Sequence, residues 1–415
     1  ENDDFEMMIN KTYGGVGAII YKPEKDGYVI INEPYKDSPI YKAGIIAGDQ
    51  IMEIDGTSVI GLDSKACSDR MKGDPGTNVK FKVKKVRSDE IRDYVVRRER
   101  IHLPDVEYAG MINDTTGYIL QTGFTTGVSD VLREKFLLLK GKGMKKFVLD
   151  LRGNGGGIMQ EAVKIVSLFV PKGSVVVSSK GINDPERVMK TVTDPIDTDI
   201  PIVVLVDSGS ASSSEIVAGA LQDLDRATIM GRRTFGKGLV QSIRPLPYNG
   251  QLKLTTAKYY TPSGRCVQAI DYARRREDGS VASIPDSLTR EFKTAHGRIV
   301  RDGGGITPDD TLTLHEYSRL TYSLVLNGVV EQYALEFLKT HADIPPVEQF
   351  HLSEADYDAF VEFARNRKFD YRSSAQAFFD QMKKELQKDK LDGTLSSQLD
   401  ALENAMKMDK EAFLR

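Results

Sequence analysis

Apolar and polar positions follow two rhythms along this chain. At first the apolar positions come in short β-type runs, at Gly17–Tyr21, Tyr28–Ile31, Gln50–Ile54, Val79–Lys84 and Tyr94–Val96. Asp26-Gly27, Asp55-Gly56 and Asp74-Pro75-Gly76 punctuate them with residues that favour tight turns. Short helical stretches fit near Ile40–Ala43 and Asp63–Met71. The expectation is a small, mostly antiparallel β-barrel with helices over 14–98, following an N-terminal remnant at 1–13.

Between 99 and 313 strands alternate with helices. Strand Lys146–Leu151 runs into Gly153-Asn154-Gly155-Gly156-Gly157 and a helix to about Phe169. Strand Ile202–Val206 runs into Asp207–Ser212 and a helix to about Leu224, and strand Ala227–Met230 precedes Gly231–Gly238. Such strand–loop–helix junctions in an α/β core are the usual place for an active site. Beyond 313 the rhythm becomes that of amphipathic helices, near 315–327, 330–340, 353–366, 373–389 and 396–407. Of 36 glycines only Gly328 and Gly393 fall there, which marks 314–415 as a helical domain.

The string Ser38-Pro39-Ile40-Tyr41-Lys42-Ala43-Gly44-Ile45-Ile46-Ala47-Gly48-Asp49-Gln50-Ile51 resembles the core signature of PDZ domains. Ile54-Asp55-Gly56 and the opening Gly14-Gly15-Val16-Gly17-Ala18 share that likeness.

Composition narrows the function classes. The 415 residues carry 57 Lys and Arg against 60 Asp and Glu, a net charge of −3 with no basic stripe, so a nucleic-acid partner is not expected. Cys67 and Cys266 are the only cysteines, which excludes a zinc ribbon, an iron–sulfur site and a thioredoxin-type motif. Apolar runs such as Ile202–Val206 are strand-sized, far short of a membrane span of about 20 residues. The opening Glu1-Asn2-Asp3-Asp4 reads as a mature or trimmed form whose targeting signal is gone.

Several motifs fail on their mechanics. Gly231-x4-Gly236-Lys237 has Gly238 where a P-loop needs Ser or Thr, and it leads into the β-type run Leu239–Val240. Gly153-x-Gly155 has Ile158 in place of the third glycine of a dinucleotide fingerprint. Asp207-Ser208-Gly209 has no second such triplet to share a proton with. His315-Glu316-x-x-Arg319 lacks the second zinc ligand.

Gly209-Ser210-Ala211-Ser212-Ser213-Ser214-Glu215 remains. A serine at a sharp strand-to-helix turn is lifted from the sheet, and the first free helix N–H groups point at its substrate. An ordinary serine N-cap has the same sequence, and this segment alone leaves both readings open. A nucleophile needs a base, and no histidine lies between 103 and 295. Lys237, flanked by Gly236, Gly238 and Phe235, is the alternative base. A free lysine titrates near about 10.4, so one that acts as a base near neutrality needs roughly 4 kcal/mol of desolvation and neighbouring dipoles.

These residues resemble the C-terminal processing (tail-specific) peptidases of family S41. The likeness rests on Gly209–Glu215, on Asp150-Leu151-Arg152-Gly153-Asn154-x-Gly156-Gly157, on Thr234-Phe235-Gly236-Lys237-Gly238-x-Val240-Gln241 and on Lys258–Arg265. The resemblance implies a crotonase-like α/β serine peptidase core, 99–313, preceded by a PDZ domain. It implies Ser212 as nucleophile, Lys237 as general base and Gln241 as the side chain orienting Lys237. Main-chain N–H groups of Ser213 and Gly156 would bind the oxyanion, and no metal or cofactor enters. Ser213 departs from the family's usual alanine.

The activity implied is endoproteolysis near the C-termini of proteins or peptides. The PDZ domain would catch the free carboxylate on N–H groups of Gly15, Val16 and Gly17. The resemblance also implies an extracytoplasmic setting, a bacterial periplasm or cell envelope. A homo-oligomer or an adaptor partner is left open. The rival reading is a catalytically inactive PDZ peptide-binding adaptor on a peptidase-like core.

Overall fold

The computed structural model describes residues 11–22, 26–182, 185–247, 250–275, 281–313, 318–341, 343–345, 349–366, 374–391 and 393–412. The chain divides into two compact units, Glu1–Thr12 with His102–Leu314 and Tyr13–Ile101 with His315–Arg415.

The alternating runs of Tyr13–Ile101 become strands β1 (Ala18–Tyr21), β2 (Val29–Pro34), β3 (Gln50–Ile54), β4 (Asn78–Lys84) and β5 (Ile91–Arg97). They pair in the order β1-β2-β3-β4-β5. The expected barrel is not closed: β1 and β5 end the sheet at opposite edges, so it is an open antiparallel sheet. Its buried face carries Val29 and Ile31, and Val79 and Phe81, at the alternate positions that a period of two assigns to one side, while a bulge between Ile51 and Glu53 brings Ile51 and Ile54 to the same side. Helix α1 (Pro39–Lys42) starts with the Ser38 side chain capping Tyr41 N–H, and α2 (Ser64–Met71) with Asp63 capping Ala66 N–H.

In the other unit β6 (Val106–Asn113) and β7 (Thr116–Gln121) form a hairpin, followed by helix α3 (Val128–Gly141). Next come β8 (Lys146–Asp150), helix α4 (Met159–Ser167), and β9 (Val175–Lys180) with β10 (Arg187–Lys190). Then follow β11 (Ile202–Val206), helix α5 (Ser213–Asp223), β12 (Thr228–Gly231) and the hairpin β13 (Leu239–Leu246) to β14 (Gly250–Tyr260). With β15 (Asp310–Thr311) the main sheet runs β15-β12-β11-β8-β7-β6, parallel except for β6. A second, antiparallel sheet runs β10-β9-β14-β13, which leaves β13 at its edge.

Helices α3, α4 and α5 cover the main sheet's apolar side chains. Phe136 of α3 lies edge-on to Phe147 of β8, with ring centres 5.1 Å apart, and to Phe169, 5.2 Å away. Every residue of α5 is buried. Gly219 allows this, since a Cβ there would come within 2.8 Å of Thr261 Cγ2 and 2.9 Å of Ile306 Cδ1.

The tail forms α6 (Arg319–Leu326), α7 (Val329–Thr340), α8 (Glu354–Asn366), α9 (Ser374–Lys388) and α10 (Ser396–Ala412). Helix α7 packs on the PDZ-like sheet, because Leu335 and Val86 both come within 2.9 Å of where a Cβ on Gly48 would lie.

The end of α5 is fixed by a buried ion pair. Arg265, fully buried, donates from Nη2 to Asp223 Oδ1 and to Gln222 Oε1, both at 2.7 Å. Asp223 Oδ2 also accepts Ser263 N–H at 3.0 Å. Removing one partner strands the other charge in the interior, at a cost of about 3–5 kcal/mol. Arg265→Ala should therefore lower the thermal midpoint by several degrees in a calorimetric melt, and an unchanged midpoint would contradict this account.

Candidate active site

The turn between β11 and α5 has backbone geometry that side chains rarely adopt. Ser212 lies at φ 56° and ψ −113°, which costs a residue with a Cβ roughly 1–3 kcal/mol. Hydrogen bonds from the glycine-rich loop after β8 hold the turn in that state. Asn154 O accepts Ala211 N–H (2.9 Å) and Ser214 Oγ–H (2.8 Å). Ser210 Oγ donates to Leu151 O at 2.7 Å, and Ser213 Oγ donates to Gly157 O at 2.9 Å. Gly156, at φ 93°, is pressed against the turn: a Cβ there would lie 2.6 Å from Ala211 O and 2.7 Å from Ser212 Cβ.

The loop and the helix start supply main-chain donors beside Ser212. Ser213 N–H and Gly157 N–H have no acceptor among the described residues. Gly156 N–H donates to Asn154 Oδ1 at 2.9 Å, so a role for Gly156 as an oxyanion donor requires that bond to give way.

Lys237 reaches the same place through its backbone. Glu215 Oε2 accepts the N–H of Ser212 (2.9 Å) and the N–H of Lys237 (2.8 Å). Its Oε1 accepts Gly236 N–H (2.8 Å) and Thr234 Oγ1–H (2.6 Å). The Tyr259 hydroxyl closes the arrangement from the other side, between Ser212 O at 3.1 Å and Lys237 O. Burial, with the Glu215 charge beside it, pushes the Tyr259 phenol well up, so it stays a donor.

The main chains of Ser212 and Lys237 are thus drawn together by two shared side-chain partners, the Glu215 carboxylate and the Tyr259 hydroxyl. Among the described residues no hydrogen bond joins the side chains of Ser212, Lys237 and Gln241. Gln241 lies on β13 just past a bulge between Val240 and Gln241. Phe235, expected to shelter Lys237, is 49% exposed. Glu215, Thr234, Tyr259 and Asn154 were not singled out from sequence. The available signal was Ser212-x-x-Glu215, which has the spacing of a capping box.

The PDZ-like unit offers a second site. A small cleft of about 30 Å³ lies between the free edge of β1 and helix α2, lined by Val16, Gly17, Ala18, Ile20, Ser68 and Met71. Val16 N–H and Gly17 N–H have no acceptor among the described residues. Gly17, at φ 81°, lies where a Cβ would meet Ser38 Cβ at 2.5 Å.

Residues 115–273 match the description Peptidase family S41, residues 30–85 match PDZ domain, and residues 320–415 match Probable PDZ-protease, C-terminal helical domain. A carboxy-terminal-processing protease of Bartonella bacilliformis is 39% identical over 264 residues, 62% of this chain and 59% of that protein. The carboxy-terminal processing protease CtpA of Bacillus subtilis is 35% identical over 263 residues, 63% of this chain and 55% of that protein. The chain therefore spans less than two thirds of these relatives' length. Among solved structures, a photosystem II D1 C-terminal processing protease is 27% identical, with 72% of each chain covered and a TM-score of 0.39.

Burial pushes the Glu215 carboxyl up, and the bonds from Thr234, Lys237, Ser212 and Gly236 oppose that shift. All four are donors, so they complement the ionised form. An unfolded glutamate titrates near about 4.3. A raised folded value means the protonated form favours the fold below the unfolded value, and that contribution is lost as pH rises through the folded value. The ionised clamp, conversely, exists only above the folded value. On acidification the amide resonances of Ser212, Gly236 and Lys237 should move together, with one midpoint above the ordinary glutamate value. Glu215→Gln should abolish that common titration; three unrelated midpoints would dissolve the clamp.

Proposed function

We propose, from the premise that this chain belongs to peptidase family S41 and carries a PDZ domain, that it is a serine endopeptidase cutting protein or peptide chains near their C-termini. The observation that carries this reading is the single Glu215 oxygen accepting the main-chain N–H of both Ser212 and Lys237. It ties a serine on a strained strand–helix turn to the loop that carries Lys237.

In this reading Ser212 Oγ attacks the scissile carbonyl, and its proton passes to neutral Lys237. The Lys237 ammonium then protonates the leaving amine; Lys237 next takes a proton from water as it attacks the acyl-enzyme, and returns that proton to Ser212 Oγ as the acid product leaves. Gln241 orients Lys237. Ser213 N–H stabilises the tetrahedral oxyanion, together with Gly156 N–H if it leaves Asn154, or with Gly157 N–H. The core would be of the crotonase-like type, and the chain would work outside the cytoplasm, in a periplasm or cell envelope.

The PDZ domain captures the substrate tail as an added strand on β1, with its carboxylate on the N–H groups around Gly15, Val16 and Gly17. Support comes from the open edge of β1 beside α2 and from the unpaired N–H groups of Val16 and Gly17.

Ser212→Ala, Lys237→Ala and the double variant should lose nearly the same activity against an unfolded protein, read by product masses, because members of one catalytic unit are not additive. Near-normal turnover by Lys237→Ala would remove the dyad. Peptide binding by the wild-type chain without any product would leave the inactive adaptor instead.

Amidating a peptide's C-terminus removes charge-assisted bonds worth roughly 1.5–3 kcal/mol, so affinity for the whole chain should fall about ten- to a hundredfold. Equal affinity for the free acid and the amide would defeat tail capture.

A further inference from the structure

A cleft of about 670 Å³ in the peptidase unit lies along the β13–β14 hairpin. Leu239 and Gln241, alternate residues of β13, line it together with Thr255 and Lys258 of β14. Ile284 and Leu288 line it as well, and Leu288 is 61% exposed. The floor is neutral: burial pushes the Cys266 thiol up, and the Gln268 side chain is spent on Gly238 N–H and Ile270 O.

The rim is not neutral. Lys258 and Arg290 are both exposed at it, and neither side chain has an ion pair or hydrogen bond among the described residues. The lining carboxylate, Asp302, accepts Arg290 N–H on Oδ1 at 2.7 Å, a main-chain partner, and pairs with neither cation's side chain among the described residues. The cleft adjoins the catalytic constellation in two ways. Gln241 is shared with it, and Cys266 is close enough to Glu215 for that charge to act on its thiol.

We infer that this cleft is a specificity site that takes a substrate segment pairing an apolar side chain with a neighbouring carboxylate. The apolar group lies against Leu239, Ile284 and Leu288, and the carboxylate reaches Lys258 and Arg290. The inference rests on the peptidase reading above. The cations act on binding and leave the chemical step alone, so the selection falls on KM. Exposed ion pairs contribute up to about 1 kcal/mol each, so two of them support a preference of about tenfold.

The test uses the full chain and peptides with amidated C-termini, so that the PDZ groove does not report. Glu or Lys is scanned through each position flanking the scissile bond. The wild-type chain should favour Glu over Lys at one position about tenfold in kcat/KM, mainly through KM. Lys258→Glu with Arg290→Glu should invert that preference, and Lys258→Arg with Arg290→Lys should keep it. Wild-type indifference to the charge, or the same preference in the charge-reversed chain, would overturn the inference. Fluorescence anisotropy of the same labelled peptides separates the two claims. Charge-selective binding that inverts with the variant, without cleavage of any peptide, would keep the cleft and remove the peptidase reading. Cleavage without charge selection would do the reverse.

Discussion

The core of this protein is organised by one carboxylate. Glu215 is buried, and its two oxygens accept three main-chain N–H groups and one hydroxyl from two segments separated in sequence. An isolated carboxylate in such a place would be costly, and one surrounded only by donors is satisfied. The Lys237 loop has no regular secondary structure to hold it in place. It is held instead by this acid from below and by the Tyr259 hydroxyl from the side.

The parallel sheet explains why these segments meet. β8, β11 and β12 are neighbours that run in one direction, so the loops after all three emerge at the same edge. The loop after β8 brings Asn154 and the glycines, the loop after β11 brings Ser212, and the loop after β12 brings Lys237. Short-range bonds then convert proximity into fixed geometry. Ser213 adds one more through its hydroxyl to Gly157 O.

Much of this was legible in the sequence wherever a local rule decided the outcome. β3 (Gln50–Ile54) and β11 (Ile202–Val206) fall where their apolar runs put them, and the tail helices match their periodicity closely. The barrel was a misreading of a different kind. Alternation tells which strands bury a face, but closure depends on whether the first and last strands pair, and no local pattern encodes that. The long β13–β14 hairpin was largely missed, because several of its alternate positions, such as Lys253 and Thr255, are polar and exposed. Glu215 was not singled out because its partners at Thr234–Lys237 lie some twenty residues away, in a loop whose path sequence does not specify.

The strained turn at Ser212 has an evolutionary consequence. A glycine at that position would relieve the backbone, since it tolerates positive φ freely, and would also delete the hydroxyl. On the peptidase reading proposed above, selection for persistence and selection for turnover therefore pull this codon in opposite directions. In a lineage freed from the need to hydrolyse anything, drift at position 212 should run downhill toward residues that suit the turn. The chain nonetheless carries a serine there, which is what the proposed nucleophile requires.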